Sequence, residues 1–256
     1  MTSVFDTVQF NERLFFPRPD GSSTPANATD FMLPVAEGVA LHARWHHPLA
    51  RPVATFIVFH GNGEIVADYD RVALQYQGAL ACNVVIVDFR GYGRSQGSST
   101  YRNCIADAPL AVRAIAAKLQ DTSAGRLIAL GRSLGGACVA EIARTTPPLV
   151  DAIVMESAGA EPLALIARRG LRVPPSLSPQ DTAMFDPRPK LAACQLPVLV
   201  LHGAQDSVIL PDEAHANFAS LTTPKKQLTL VPARGHNDLF GDPAYWAALR
   251  AFVATL

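Results

Sequence analysis

The stretch RLIALGRSLGGACVAEIAR, residues 126–144, reads as three successive backbone states with one serine at their junction. RLIALG is a continuous apolar run, too short for an ordinary helix and closed by glycine, which marks a strand covered on both faces. ACVAEIAR spaces its apolar residues at helical period. Between them, Gly131-Arg132-Ser133-Leu134-Gly135, followed by Gly136, fits a strand-to-helix turn in which small residues let the two elements approach closely. A serine held there stands beyond a strand end and beside a helix N-terminus, so Ser133 is the candidate nucleophile.

The same alternation extends outward. FMLPV (31–35), VALHARW (39–45), ATFIVFH (54–60), NVVIVDF (83–89), DAIVMES (151–157), PVLVLHG (197–203) and KQLTLVP (226–232) read as strands. The intervening segments 68–81, 104–120, 134–146, 212–222 and 243–256 carry helix-period apolar positions. Apolar strands alternating with helices predict an α/β fold with a doubly wound, mainly parallel sheet in a single domain spanning 1–256. Residues 158–196 break the rhythm. They hold no apolar strand and include the Pro- and Arg-rich RRGLRVPPSLSPQ, which is read as a short cap inserted over the sheet. Residues 1–30, ending in PRPDGSSTPANATD, are read as a partly mobile surface lead-in.

Composition narrows the function classes. Half the chain is apolar, and 22 Lys and Arg balance 22 Asp and Glu, which argues against nucleic acid or an anionic membrane surface as a partner. Cys82, Cys104, Cys138 and Cys194 are widely spaced with no C-x-x-C pair, as expected of core thiols in a reducing compartment. No secretory leader and no apolar run of about 18 residues is present, so the reading is a cytoplasmic protein with no integral membrane segment. No histidine pair has metal-ligand context, and neither a metal nor another cofactor is expected.

A second G-x-S-x-G, Gly93 to Gly97, surrounds Ser95, but RGYGR separates that serine from its strand and QGSSTYRN follows it. This is loop chemistry, and Ser95 is read as a turn residue. A serine hydroxyl needs a neighbouring base, and His236, after the last strand within PARGHNDLF, occupies the suitable loop. His60 and His202 are read as strand-end turn residues, and His42, His46, His47 and His215 as partly exposed. Asp206, just past an apolar strand and thirty residues before His236, is the candidate orienting acid. Glu156 is the alternative, and Asp238 a weaker one. Backbone N–H groups of Leu134, after the serine, and of Asn62, in the small-residue loop HGNGE, are the candidate oxyanion hole.

Taken together, HGN (60–62), DFRGYGRS (88–95), GRSLGG (131–136), HGAQDSVI (202–209) and GHNDLF (235–240) resemble the α/β-hydrolase family from about residue 31 onward. HGN with GHND, and FFP near the start, resemble its branch of protein depalmitoylases and lysophospholipid lipases. The resemblance implies an eight-stranded, mostly parallel sheet and hydrolysis of fatty acyl esters or thioesters. It places the family's catalytic residues on Ser133, Asp206 and His236. The expected partner is thus a small-molecule acyl ester or thioester. PLALIARRGL (162–171) offers Leu163, Leu165 and Ile166 beside Arg168 and Arg169, either as an acyl pocket with a basic rim or as an amphipathic helix with solvated arginines. Two alternatives stand beside the esterase: a serine aminopeptidase, which needs acids such as Glu64 or Glu161 to hold the substrate ammonium, and a catalytically silent binding module on the same scaffold.

Overall fold

A computed structural model describes residues 2–47, 49–120 and 122–256. Its eight strands are β1 (Ala28–Ala36), β2 (Val39–His46), β3 (Ala54–Phe59), β4 (Asn83–Val87), β5 (Arg126–Arg132), β6 (Ala152–Glu156), β7 (Val198–Gly203) and β8 (Lys226–Val231). They form one sheet in the order β1-β2-β4-β3-β5-β6-β7-β8. β1, β2 and β4 pair antiparallel, and every pairing from β4 through β8 is parallel. This is the α/β-hydrolase fold.

Strands β3 to β7 are largely apolar because both of their faces are covered. Phe56 and Val58 of β3 point to the layer of α2 (Asp70–Leu80) and α8 (Pro243–Val253), where Tyr76, Tyr245 and Phe252 lie buried. Ile57 and Phe59 alternate to the opposite face. There they meet the layer of α3 (Tyr101–Leu119) and α4 (Gly135–Ala143), which contributes Ile105, Val112 and Val139. The edge strand β1 holds Pro34, a residue a central strand would not accept because it cannot donate to the ladder. All four cysteines are buried free thiols, and burial pushes that of Cys82 up to about 11.

Two expectations need correction. Residues 1–30 are not a surface lead-in throughout. A 3-10 turn at Val4–Asp6 and helix α1 (Val8–Leu14) bury Phe5, Phe10 and Leu14. Ser3 and Thr7 cap these turns through their side chains, so local polar groups start the helices while the aromatics dock. Phe5 lies 4.2 Å from Phe185 and 5.5 Å from Tyr101 between ring centroids, which seals the first residues against the segment after β6. The second correction concerns histidine. His42 and His46 on β2 are buried, not partly exposed, because each faces a carboxylate: His42 Nδ1 lies 3.0 Å from Asp88, and His46 Nε2 lies 3.2 Å from Asp70.

Between these histidines the fully buried Arg44 donates to Asp30 at 2.7 Å and to Asp70 at 3.1 Å. Burial pushes the Asp30 carboxyl up, but hydrogen bonds from Arg44 and Thr24 outweigh it and hold the group well below the usual carboxylate range. Asp88 behaves alike: burial raises it, and hydrogen bonds from His42 and His60 outweigh that and hold it below its ordinary value. A carboxyl depressed in the folded state contributes stability that is present above its unfolded value and lost as pH falls. The thermal unfolding midpoint is therefore expected to hold near neutrality and to drop progressively below about pH 4, followed by circular dichroism.

Candidate active site

Every sequence-predicted site residue lies just beyond the carboxyl end of a parallel strand: Asn62 after β3, Ser133 after β5, Asp206 after β7 and His236 after β8. Ser133 adopts φ of +51°, a conformation that a non-glycine residue takes only where its surroundings enforce it. The Ser133 amide donates to the Glu156 carbonyl at 2.8 Å, which holds the turn against β6. Glycine is required on either side. A Cβ at Gly131 would overlap the Gly135 carbonyl, and one at Gly135 would overlap that of Phe59.

The three expected side chains form one hydrogen-bonded line. His236 Nδ1 lies 2.7 Å from Asp206 Oδ2, and His236 Nε2 lies 3.0 Å from Ser133 Oγ. With the carboxylate facing Nδ1, that nitrogen carries the proton and Nε2 is left to accept from the serine hydroxyl. Asp206 Oδ1 is occupied by the Val208 and Ile209 amides at 2.8 and 2.9 Å, which aims Oδ2 at the imidazole. Burial alone would raise the Asp206 carboxyl. Hydrogen bonds from His202, His236 and the Ile209 amide outweigh that and hold it well below the usual range, so it is anionic at neutral pH.

The alternatives occupy other places. Glu156 is buried, accepts from the Tyr245 hydroxyl at 2.8 Å and is pushed up by burial. Asp238 accepts from the Gly235 amide at 2.7 Å, closing its own loop. Ser95 accepts from the His42 amide at 2.7 Å and donates to the Asp88 carbonyl at 2.9 Å, a turn in the service of β2. His60 donates from Nδ1 to the Gly61 carbonyl at 2.7 Å, while its ring packs 4.4 Å from that of Phe89. His202 is more than a turn residue: buried, it sits 3.2 Å from Asp206 Oδ2 and bonds the Ile209 carbonyl at 2.9 Å.

Asn62 uses its side chain to brace its loop. The Oδ1 atom accepts from the Tyr92 hydroxyl at 2.7 Å and from the Phe16 amide at 3.2 Å, and the side-chain amide donates to the Leu14 carbonyl. The backbone amides of Asn62 and Leu134 have no backbone acceptor among the described residues. Both residues line, with Ser133, a cavity of about 370 Å³. Its walls are largely apolar, with Leu14, Ala137, Leu165 and Phe185 among them, and Glu161, Arg168 and Arg169 add charge.

One residue escaped the sequence reading. Arg132, next to Ser133 and almost fully buried, donates to the His236 carbonyl at 2.9 Å, to Asn237 Oδ1 at 2.7 Å and to Glu64 Oε1 at 2.9 Å. Glu64 in turn accepts from the Gly61 amide at 2.8 Å and the Tyr69 hydroxyl at 2.6 Å. The guanidinium thus ties the serine turn to the histidine loop and to the loop of Asn62. The available signal was a cation in the middle position of a buried G-x-S motif, which must find a carboxylate.

These features define a strand-end serine site on a mostly parallel α/β sheet. Residues 50–180 match the family described as serine aminopeptidase, S33. The chain is 30% identical to the alpha/beta hydrolase domain-containing protein WAV2 of Arabidopsis thaliana, over 96% of this chain and 88% of that protein. It belongs to the alpha/beta hydrolase family. Among solved structures it is similar to the Pyrococcus furiosus esterase Pf2001, with a TM-score of 0.73, 18% identity and coverage of 94% of this chain and 98% of that one. It is also similar to the monoacylglycerol lipase of Paleococcus ferrophilus, with a TM-score of 0.63, 20% identity and coverage of 84% and 98%. Among the described residues, no helix is long and apolar enough to cross a membrane.

Removing the Arg132 charge leaves the buried Glu156 and the partly buried Glu64 without their cation. Arg132→Met is expected to destabilise the protein by about 3–5 kcal/mol, measured as a lower midpoint in urea, with Arg132→Lys falling between it and the wild type.

Proposed function

We propose that this protein is a serine hydrolase that cleaves small carboxylic esters or thioesters through an acyl-enzyme on Ser133. The observation that carries the reading is the continuous line from Asp206 through His236 to Ser133, opening on a largely apolar cavity. His236 takes the hydroxyl proton as Oγ attacks the acyl carbonyl. The oxyanion that forms is received by the Asn62 and Leu134 amides, a contribution worth about 3 kcal/mol of transition-state stabilisation per donor. His236 then protonates the departing alcohol or thiol, and a water activated by the same imidazole releases the acid. Asp206 keeps the imidazole in the required tautomer and stabilises the imidazolium.

Residues 158–196 serve as the cap. Helices α5 (Pro162–Arg168), α6 (Pro179–Phe185) and α7 (Pro187–Ala192) fill this interval, and Leu165, Phe185 and Pro187 from it line the cavity. A space of about 370 Å³ lies at the lower end of ligand pockets and favours a modest acyl group over a polymer. The motif likeness to depalmitoylases and lysophospholipid lipases, and the esterase and lipase among the structural neighbours, support acyl esters and thioesters as the substrate class.

The matched family's description gives the aminopeptidase reading its support. The charges speak against it. Glu64 is engaged by Arg132, Glu161 pairs with Arg188 at 2.8 Å, and Arg168 and Arg169 face the same cavity, where an ammonium would be repelled.

Two measurements test the proposal. Turnover of a short-to-long series of acyl esters and thioesters is expected to fall about a millionfold in Ser133→Ala, with loss of labelling by a serine-directed phosphonate. Retained turnover refutes the serine mechanism, and faster cleavage of free than of blocked aminoacyl amides moves the assignment to the peptidase. Asp206→Asn, which presents the wrong partner to Nδ1, is expected to lower kcat by about 10⁴-fold while the fold persists by circular dichroism.

A further inference from the structure

The cavity that opens on Ser133 contains an arginine with no counter-charge. Of the two arginines that line it, Arg168 is neutralised by Glu213 at 2.6 Å. Glu161, the acid of the lining, shares Arg188 with Asp186 and forms no ion pair with Arg169 among the described residues. Arg169 forms no ion pair among the described residues, and its Nε is buried without a hydrogen-bond partner. Its guanidinium carbon lies 5.9 Å from the centre of the Phe16 ring. The Phe16 amide donates to Asn62 Oδ1, which places Arg169 on the side of the cavity formed by the Asn62 loop. Burial pulls the Arg169 guanidinium down from its ordinary value, and the neighbouring Arg168 charge adds to it. The surroundings therefore penalise this charge instead of rewarding it. Arg13 adds a third guanidinium close by, donating to the Gly170 carbonyl at 2.9 Å.

An unpaired, half-buried cation is costly to keep, whereas a planar carboxylate meets its donors with paired, charge-assisted hydrogen bonds. We infer that Arg169 is the anion-binding group of the substrate cavity, and that the preferred ester or thioester carries a carboxylate elsewhere in the molecule. The inference rests on the hydrolase reading for its reaction but on the charge arrangement for its ligand. A carboxylate fits better than an ammonium or a purely hydrocarbon substrate, because the first completes the ion pair and the others leave it open. The anionic group could stand on the acyl side or the leaving-group side, and the two are separable by chemistry.

The test compares matched substrates. Monomethyl esters of dicarboxylic acids and their dimethyl counterparts probe the acyl side. Acyl esters of glycolic acid and of its primary amide probe the leaving-group side. In the wild type, kcat/KM is expected to favour the anionic member of at least one pair by about tenfold or more. In Arg169→Met that ratio collapses towards one, and Arg169→Lys keeps part of it. Thermal melting of each variant reports that it is folded. Equal rates within both pairs in the wild type, or a ratio untouched by Arg169→Met, overturn the inference. A second readout needs no turnover. Titration calorimetry with a non-cleavable amide analogue, with and without its carboxylate, is expected to show tighter binding of the anion to the wild type and no such difference in Arg169→Met. Absence of hydrolysis with this binding difference intact counts against the hydrolase reading alone. Hydrolysis with no binding difference counts against the anion site alone.

Discussion

The Arg132 guanidinium, buried one residue before the serine turn, is the constraint on which the site's geometry depends. It reaches the His236 carbonyl, the Asn237 side chain and Glu64, and lies 3.7 Å from Glu156. A buried charge of this kind is worth keeping only if each donor is satisfied, and those donors end on the loops that follow two different strands, β3 and β8. Loops are ordinarily the loosest part of an α/β domain. Here the loop of Asn62 and the loop of His236 are bound to the one rigid point between them, the end of β5. The precision of a 3.0 Å contact between Ser133 and His236, two groups 103 positions apart in the chain, follows from that shared anchor.

Much of this arrangement was legible in the sequence. Strands β3 to β7 were visible as largely apolar runs because a sheet covered on both sides admits little else, and the strand–glycine–serine–glycine–helix order singled out Ser133 from Ser95. Asp206 and His236 followed from their positions after strands. What stayed hidden shares a physical cause. Phe5, Phe10 and Leu14 lie too close to the beginning, and in too short a helix, for periodicity to reveal a core contribution. The buried states of His42, His46 and His202 depend on carboxylates distant in sequence or across a turn, and no local pattern reports such a pairing. Arg132 was hidden for the same reason, since Glu64 and Asn237 converge on it from opposite directions along the chain.

The ionisable groups are divided between two regions. Behind the antiparallel strands, Arg44, Asp30, Asp70, His42, His46 and Asp88 form a connected set, joined also by Asp20, Arg94 and His60, in which the guanidiniums and the histidines each face acids. At the carboxyl ends of the parallel strands the charges are less evenly matched, and the open cavity holds Arg169 uncompensated. The first arrangement ties the N-terminal polar segment to the sheet. The second leaves an electrostatic vacancy facing the candidate nucleophile.

The interval between β6 and β7 gives this fold an unusual freedom. Arg168, Arg169, Leu165 and Phe185 all belong to it, whereas Ser133, Asp206 and His236 are held by strand ends outside it. Because the chain enters and leaves this roof at adjacent strands, its length and side chains are free to drift without disturbing the registry of the sheet beneath. Descendants of such a gene would inherit the candidate reacting groups nearly unchanged while acquiring new clienteles, and the trait most open to selection would be the one written in the roof.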